Sequence, residues 1–582
     1  MKINILKFSV AASLAALSLT SAAQNLDPTV VVNRAYEGKL LEVHKPAMEM
    51  AVPDSVQRFD LDFDYSVFEN PYKGSYEFKP YQLLLKPVSS GVDRSRFWLD
   101  AGAGYTLYPV VNMVWTPFQN GPFKMNVYAD YNAYFGQYRE IFRDVDEDGV
   151  SRFVSMKNES DGKRMCWDGY RMNSKAGVDG RYDWERSAFD FNVGYYGVAS
   201  KDKFKSRTFN ALDLSMGLAA KPQLKSHFHY DIDLDYRFGS DYLPYSYGEQ
   251  SLNEHVFAFG AVLGPVMSDA SKVLFDLGFD AVAYNGALGG VAGAYTMAGQ
   301  LSFTPHYVLS KNRWLVDLGA RLDLLMNPDR MYFYQQKGQY IYPDVEIRFA
   351  AAKDALSIYF KADGGNRINT YSSILERNPF LGPDYMSGNG MFYLDTTVER
   401  VNVKLGFDGR IAKRFTYDLH GGYANYSGAL FDQVYVQSGQ WTPGFAYGSY
   451  HKLYAGVGWN LNSERVRFDG NVDYSYSMSL DENPAYFLPA MLTGDMALVY
   501  NWNRRLFAGV DCVFSTARKG VVAGDEVEIP GFADLGAYAE YAFNRKVSVW
   551  LRGGNLMNMT IQHTPLYAEK GINFTAGVRL KL

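Results

Sequence analysis

The chain has 582 residues, among them 45 Tyr, 38 Phe and 53 Gly, with aromatic residues at 16 %. A formal net charge of −5 gives neither the basic surplus of a nucleic-acid binder nor the charge excess of a disordered acidic tail. The mean hydropathy of −0.23 reads at first as that of a soluble protein, but the composition favours strands and tight turns over helices.

The N-terminus changes that picture. Lys2 and Lys7 precede the short apolar run Phe8–Thr20, and the small residues Ser21-Ala22-Ala23 stand before Gln24. Residues 1–23 therefore read as a secretory signal peptide. Gln24 is not a cysteine, which argues against a lipid anchor. No later run reaches the roughly 18 apolar residues of a transmembrane helix, so the exported chain is either released or held in a membrane by strands. Residues 24–95 carry Pro28, Pro46, Pro53, Pro71, Pro80 and Pro87 and predict an extended, bent periplasmic segment, too short for a full plug domain. Within it, Thr29-Val30-Val31-Val32 is β-prone. It suits strand addition to a periplasmic partner, or a short strand against its own segment or the barrel wall. Asp62–Tyr76 is rich in aromatics and is expected to pack under or inside a barrel mouth.

From Arg96 onward the chain alternates apolar and polar residues in segment after segment, with no convincing helix. In Phe228–Phe238, Phe228, Tyr230, Ile232, Leu234, Tyr236 and Phe238 oppose Asp231, Asp233, Asp235 and Arg237. In Val273–Ala283 an apolar set opposes Asp276 and Asp280; in Trp314–Leu324 another opposes Asp317, Arg321 and Asp323. Strands of a soluble sandwich average about 5–6 residues, whereas these run longer and are charged along the whole polar side. Transmembrane barrel strands need about 9–11 residues of such alternation, apolar to lipid and polar to lumen. The same rule places Asp418, His420, Arg467, Asp469, Asp473 and Arg552 in the lumen. The pattern suits a solute path, or a solvated and mutually paired wall.

Connections of two kinds alternate. The short ones include Asp183–Arg186, Ser310–Arg313, Ile411–Arg414, Asn462–Arg465, Trp502–Arg505 and Phe543–Lys546. The long ones include Tyr138–Met172, Asn327–Gln339, Asn366–Met391, Tyr426–Gly448, Ser479–Pro489, Thr516–Gly531 and Asn555–Gly571. Short periplasmic turns and long extracellular loops give that asymmetry. The prediction is an all-β fold: one large transmembrane antiparallel β-barrel of about 22 strands over residues 96–582. An even strand number puts both ends of the barrel at the periplasmic rim, and the closing strand Gly571–Leu582 pairs with the first, Phe97–Tyr105.

Other site readings follow. Asp144, Asp146 and Asp148, with Gly149 at the sixth place, match the start of a calcium loop. Ser155 stands where the twelfth-position Glu belongs, so an acidic turn is the alternative. Tyr332, Phe333, Tyr334, Tyr340 and Tyr342 suit an aromatic girdle at the outer rim, or sugar stacking. Cys166 and Cys512 read as free thiols. No metalloprotease, nucleophile-elbow or phosphate-loop pattern occurs, so neither an enzyme nor a cofactor is expected.

Three stretches resemble the TonB-dependent receptor superfamily, and more narrowly its plug-less, Bacteroidetes-type members. These are Thr29–Val32 as a TonB-box-like segment, the opening strand Phe97–Tyr105 followed by Pro109, and Asn555-Leu556 with a long loop before the last strand. The ending departs from many barrel proteins in having Leu582 where Phe or Trp is common. The resemblance implies an outer-membrane location and a receptor-like barrel that binds or imports a solute with a periplasmic or lipoprotein partner. The alternative is a non-transporting scaffold barrel that anchors a protein complex.

Overall fold

The computed structural model describes residues 95–582 apart from 106, 148, 204–205, 222–226, 246–247, 286–296, 328–335, 381–393 and 438. The signal peptide, the segment 24–94 with Thr29–Val32, and the aromatics 332–334 lie outside the described residues.

Alternation becomes strand almost everywhere. In chain order the strands are β1 (Phe97–Gly104), β2 (Val110–Phe118), β3 (Phe123–Arg139), β4 (Ile141–Val145), β5 (Ser151–Ser155), β6 (Cys166–Asp183), β7 (Ser187–Lys201), β8 (Ser206–Ala220) and β9 (Phe228–Tyr245). There follow β10 (Gly248–Ser268), β11 (Ser271–Asn285), β12 (Met297–Lys311), β13 (Trp314–Leu325), β14 (Gly338–Ala352), β15 (Leu356–Ile368), a helix α1 (Tyr371–Arg377), β16 (Thr396–Ile411), β17 (Phe415–Gln437) and β18 (Gln440–Asn462). The last are β19 (Val466–Ser479), β20 (Leu492–Trp502), β21 (Leu506–Ser515), β22 (Arg518–Val522), β23 (Asp525–Ile529), β24 (Phe532–Ala542), β25 (Val547–Gly554) and β26 (Asn573–Lys581).

Twenty-two of these make one antiparallel sheet, each strand beside its sequence neighbour, and β4, β5, β22 and β23 form a separate four-stranded sheet. The large sheet closes where β26 pairs with β1, from Trp98 opposite Lys581 to Gly104 opposite Thr575. Closure removes both free edges. The amide of Arg96 donates to the Leu582 carbonyl at 2.6 Å, and Leu582 donates back to Phe97 at 2.8 Å. Both ends of the barrel therefore share one rim, the rim of the short turns.

Those turns are short because their residues accept the left-handed region. Ala412-Lys413 and Asn503-Arg504 each place two successive residues at φ between 52° and 59°. This is the twist that a tight hairpin requires. At the other rim the long connections behave differently. Residues 426–448, expected as a loop, continue β17 and β18 as a tall hairpin, in register up to Gln437 opposite Gln440. A bulge between Tyr426 and Ala429 interrupts it. Gly428 sits there at φ +63°, where a Cβ would come within 3.0 Å of the Thr396 carbonyl. Residues 140–165 and 516–531 supply the two hairpins of the small sheet, joined by a parallel pairing of β5 with β23.

Side-chain direction follows the period of two. On β13, Trp314, Leu318 and Leu322 point outward and are 40–49 % exposed, while Asp317, Arg321 and Asp323 point into the lumen. The outward residues of the other strands continue this apolar belt. An aromatic girdle marks the short-turn rim, where Trp115, Phe118, Tyr182, Trp184, Trp314, Tyr500, Trp502 and Phe543 are exposed. At the opposite rim the sequence expectation is corrected. Tyr342 is buried and stacks on Tyr340 at 6.1 Å, on the face shared with Arg321 and Asp323. Ile341 is the residue that points outward.

The seam has its own fastening. Arg579 of β26 reaches Asp100 of β1 at 2.7 Å and Glu540 of β24 at 2.5 Å. The Trp550 indole donates to Asp100 and lies over Gly102 and Gly577, where a Cβ on Gly102 would be 2.6 Å from the ring.

Candidate functional site

The lumen is crossed by the connection between β15 and β16. The helix α1 in it corrects the expectation of no helix beyond Arg96. Thr370 caps it: its hydroxyl accepts from the Ser373 amide at 3.2 Å, and the Thr370 amide donates to Ser373 Oγ at 3.2 Å. Seven residues are too few for a helix to stand alone in water, so its neighbours hold it.

The wall of β8–β11 grips the N-terminal end. Glu254, fully buried, accepts from the Tyr371 amide at 2.7 Å, the Ser372 amide at 3.2 Å and the Tyr284 hydroxyl at 2.9 Å. A carboxylate here meets both the unpaired amides and the positive end of the helix. The Tyr371 hydroxyl donates to Asp241, and Arg207 donates to that hydroxyl at 3.4 Å. Between these contacts Ile374 and Leu375 enter an apolar cluster with Tyr196, Phe209 and Leu252. Arg237, one of the expected lumen residues, pairs with Asp213 at 2.6 Å and reaches Glu376 of α1 at 3.6 Å.

The C-terminal end is held elsewhere. Arg377 pairs with Asp432 of β17 at 2.9 Å, and Asp432 also takes Arg518 of β22 at 2.8 Å. Ser200 of β7 donates to the Pro379 carbonyl at 2.5 Å. Phe380 stacks on Tyr567 at 4.8 Å and meets the edges of Tyr138 and Trp167, from β3 and β6. Those strands lie across the closed sheet from β15 and β16. Residues 369–380 thus form a strap from one wall to the other.

The connection from β25 to β26 folds inward beside the strap. Arg139 binds the carbonyl and side chain of Asn558 and the Thr560 hydroxyl. Arg518 donates to the His563 carbonyl at 2.8 Å, and Gln562 to the Phe153 carbonyl at 2.8 Å. Burial, partly opposed by Glu569, pushes His563 down to about 4, so its ring is neutral at pH 7. Burial would raise Glu569, but Arg171, His563 and Lys570 together hold it below its usual range.

The expected lumen residues share the inward face and mostly pair with one another. Asp276 and Asp317 hold His306 between them at 3.1 and 2.8 Å, and Asp280 shares the Asp276 face of β11. Arg321 pairs with Asp323 at 2.8 Å, and Asp323 takes Asn366 at 3.0 Å. Asp418 holds His420 at 2.5 Å and Tyr359 at 2.7 Å. Arg467 pairs with Asp469 at 2.9 Å, and Asp473 accepts from Asn471. Arg552 lies over the Tyr538 and Trp550 rings. Asp231, Asp233 and Asp235 line β9 below Arg237, toward the short-turn rim.

Asp144 and Asp146 fall on the β4–β5 hairpin. Asp144 accepts from the Val145 amide at 2.9 Å. Asp146 is committed to the Val150 amide at 2.8 Å and to Arg152. Asp148 is outside the described residues, and Ser155 faces Thr560 at 2.9 Å. Among the described residues no group of three His, Cys, Asp or Glu side chains is placed to hold a metal ion. Cys166 and Cys512 are both free.

Sequence reasoning missed Glu254, Asp241, Tyr371, Arg377 and Asp432. The available signal was slight: Thr370 and Ser373 spaced as a capping pair, with Ile374 and Leu375 following. Nothing local says that the helix turns inward.

No family model matches the chain, nor does any curated protein. Solved structures do. An iron transporter, FrpB from Neisseria meningitidis, superposes with a TM-score of 0.62 at 11 % identity, covering 84 % of this chain and 82 % of that one. The copper transporter OprC gives 0.59 at 11 % identity, with 84 % and 82 % covered. The siderophore receptor PirA from Acinetobacter baumannii gives 0.57 at 11 % identity, with 84 % and 80 % covered. At such identity the likeness is one of fold, and the shared fold is the closed 22-stranded antiparallel barrel.

Proposed function

We propose that this chain is an outer-membrane, receptor-like barrel that binds and imports a solute together with a periplasmic partner. The strap is the observation that carries this reading. Its two ends carry polar contacts, at Glu254 and Asp241 on one side and Asp432 on the other, with Ile374 and Leu375 packed in an apolar cluster between them and Phe380 stacked on Tyr567. Ion pairs and hydrogen bonds of this kind exchange for water when a segment moves, so the closure can be released without dismantling the barrel. In this reading the short-turn rim and both ends of the barrel face the periplasm, as in other barrels with one rim of short turns. The segment 24–95 then lies on the partner's side, with Thr29–Val32 as the strand offered to it. The names of the structural neighbours, transporters of iron and copper and a siderophore receptor, support movement of a solute; no catalytic role is proposed.

Planar-bilayer conductance tests it. The purified wild-type barrel is expected to conduct little. Asp432→Asn, which loosens Arg377 and Arg518 together, is expected to conduct more while keeping heat-modifiable gel mobility. The same strap also suits a scaffold barrel with a permanent lid. That reading gains if conductance stays absent in Asp432→Asn and in a variant lacking residues 371–377, and if one partner co-purifies with each folded barrel.

A further inference from the structure

Among the described residues, side chains around the strap are shut away from water with part of their hydrogen-bonding capacity unused. Asp241 is fully buried; one of its oxygens takes the Tyr371 hydroxyl, and the other has no hydrogen-bond partner. Beside it, buried Arg207 donates to the Tyr371 hydroxyl at 3.4 Å, while its Nε has no partner. At the far end of α1, Asn378 accepts from the Phe380 amide at 3.0 Å, and its own amide nitrogen is unpaired. Gln300 of β12 is the extreme case. It is 1 % exposed, and neither its amide oxygen nor its amide nitrogen is paired.

Gln300 borders the seat of the helix. Val256, Val282 and Ala298 stand opposite one another across β10, β11 and β12. They pack in the cluster that takes Ile374 and Leu375 of α1. Gln300 is the next residue on the Ala298 face of β12, opposite Asp280 on one side and Leu325 on the other. A polar group buried without a partner keeps the whole cost of its lost hydration. A native structure that retains such groups stores strain there. Here the cost belongs to the closed form, because lifting α1 returns lumen water to its seat. The fastenings at Glu254 and Asp432 and the packing of Ile374 and Leu375 draw the strap shut; the unpaired groups oppose them.

We infer that the closed strap is a loaded state, kept near the point of release by polar groups that closure leaves unpaired, Gln300 foremost. The inference rests on the releasable strap of the proposed function and supplies what works against its closure.

Hydrogen exchange in the full mature barrel reads this without any solute. The amides of Tyr371 and Ser372 donate to Glu254, and that of Ile374 to the Thr370 carbonyl, so their exchange follows release of the strap. Gln300→Met replaces the amide by an apolar group of similar shape. Exchange at the three amides is expected to slow about tenfold, while the Leu582 amide at the seam, which donates to Phe97, keeps its rate. Gln300→Glu, equally close in shape, buries a charge opposite Asp280 and is expected to speed the same exchange about tenfold. Gln300→Leu replaces the Met variant if that one loses heat-modifiable mobility, with the same sign expected. Unchanged or faster exchange in the folded apolar variant overturns the inference, as does unchanged or slower exchange in Gln300→Glu. Slowing that extends equally to Leu582 also overturns it, because the effect then belongs to the whole barrel. Such a failure is separable from the proposed function, which the conductance of Asp432→Asn reads independently.

Discussion

Arg579 shows how much one side chain can carry in this barrel. It is 4 % exposed and bridges Asp100 and Glu540 across the closing seam. Removing the cation leaves two carboxylates facing each other in a poorly solvated place. Arg579→Met is therefore expected to cost about 3–5 kcal/mol, read as a fall in the temperature or urea concentration at which the gel-mobility shift occurs. Lys519→Ala is the contrast, because its 3.0 Å pair with Glu526 is exposed on both sides; the expected change is within about 0.5 kcal/mol. From the sequence, Arg579 and Lys581 look alike, two cations on one polar face. The difference comes from neighbours on β1 and β24, far from β26 in sequence.

At the scale of elements, strands were legible and inward-folding connections were not. A strand announces itself through a period of two that every residue repeats. The strap has no such signal, because its position depends on Glu254, Asp241 and Asp432, none of them near it in sequence. The tall β17–β18 hairpin was misread as a loop because Gly428 and the bulge interrupt its alternation. The β25–β26 connection carries a pH dependence. His563 in the closed connection has its proton affinity lowered to about 4, against about 6.5 when released. The released form binds more protons between those values. The stability of the closed form is thus full above about pH 6.5 and falls as pH drops toward 4, by up to about 3 kcal/mol. Glu569, held below its usual range, adds a loss of the same sign at lower pH. Hydrogen exchange at the amides of Tyr567 and Glu569, which donate to Thr564 and Ile561, is expected to be faster at pH 5 than at pH 7 once intrinsic rates are removed.

For the whole molecule the two faces of the wall predict opposite tolerance. Leu318→Arg puts a charge on the outward belt and is expected to destabilise the barrel by about 2–4 kcal/mol in a bilayer. Asp233→Asn, on the lumen face of the same wall, is expected to change unfolding by less than about 0.5 kcal/mol. Urea unfolding in lipid vesicles checks both, and equal sensitivity would contradict the assignment of faces. The sequence by itself determined the barrel, its strand number and its seam. Alternation and turn chemistry are local, and a closed sheet is what satisfies every backbone group once such strands are many. The tertiary structure alone decided that a strap crosses the lumen, that Tyr340 and Tyr342 turn inward, and that Arg377 and Arg518 share one carboxylate. Those arrangements depend on contacts between residues tens to hundreds of positions apart, and no periodicity along the chain encodes them.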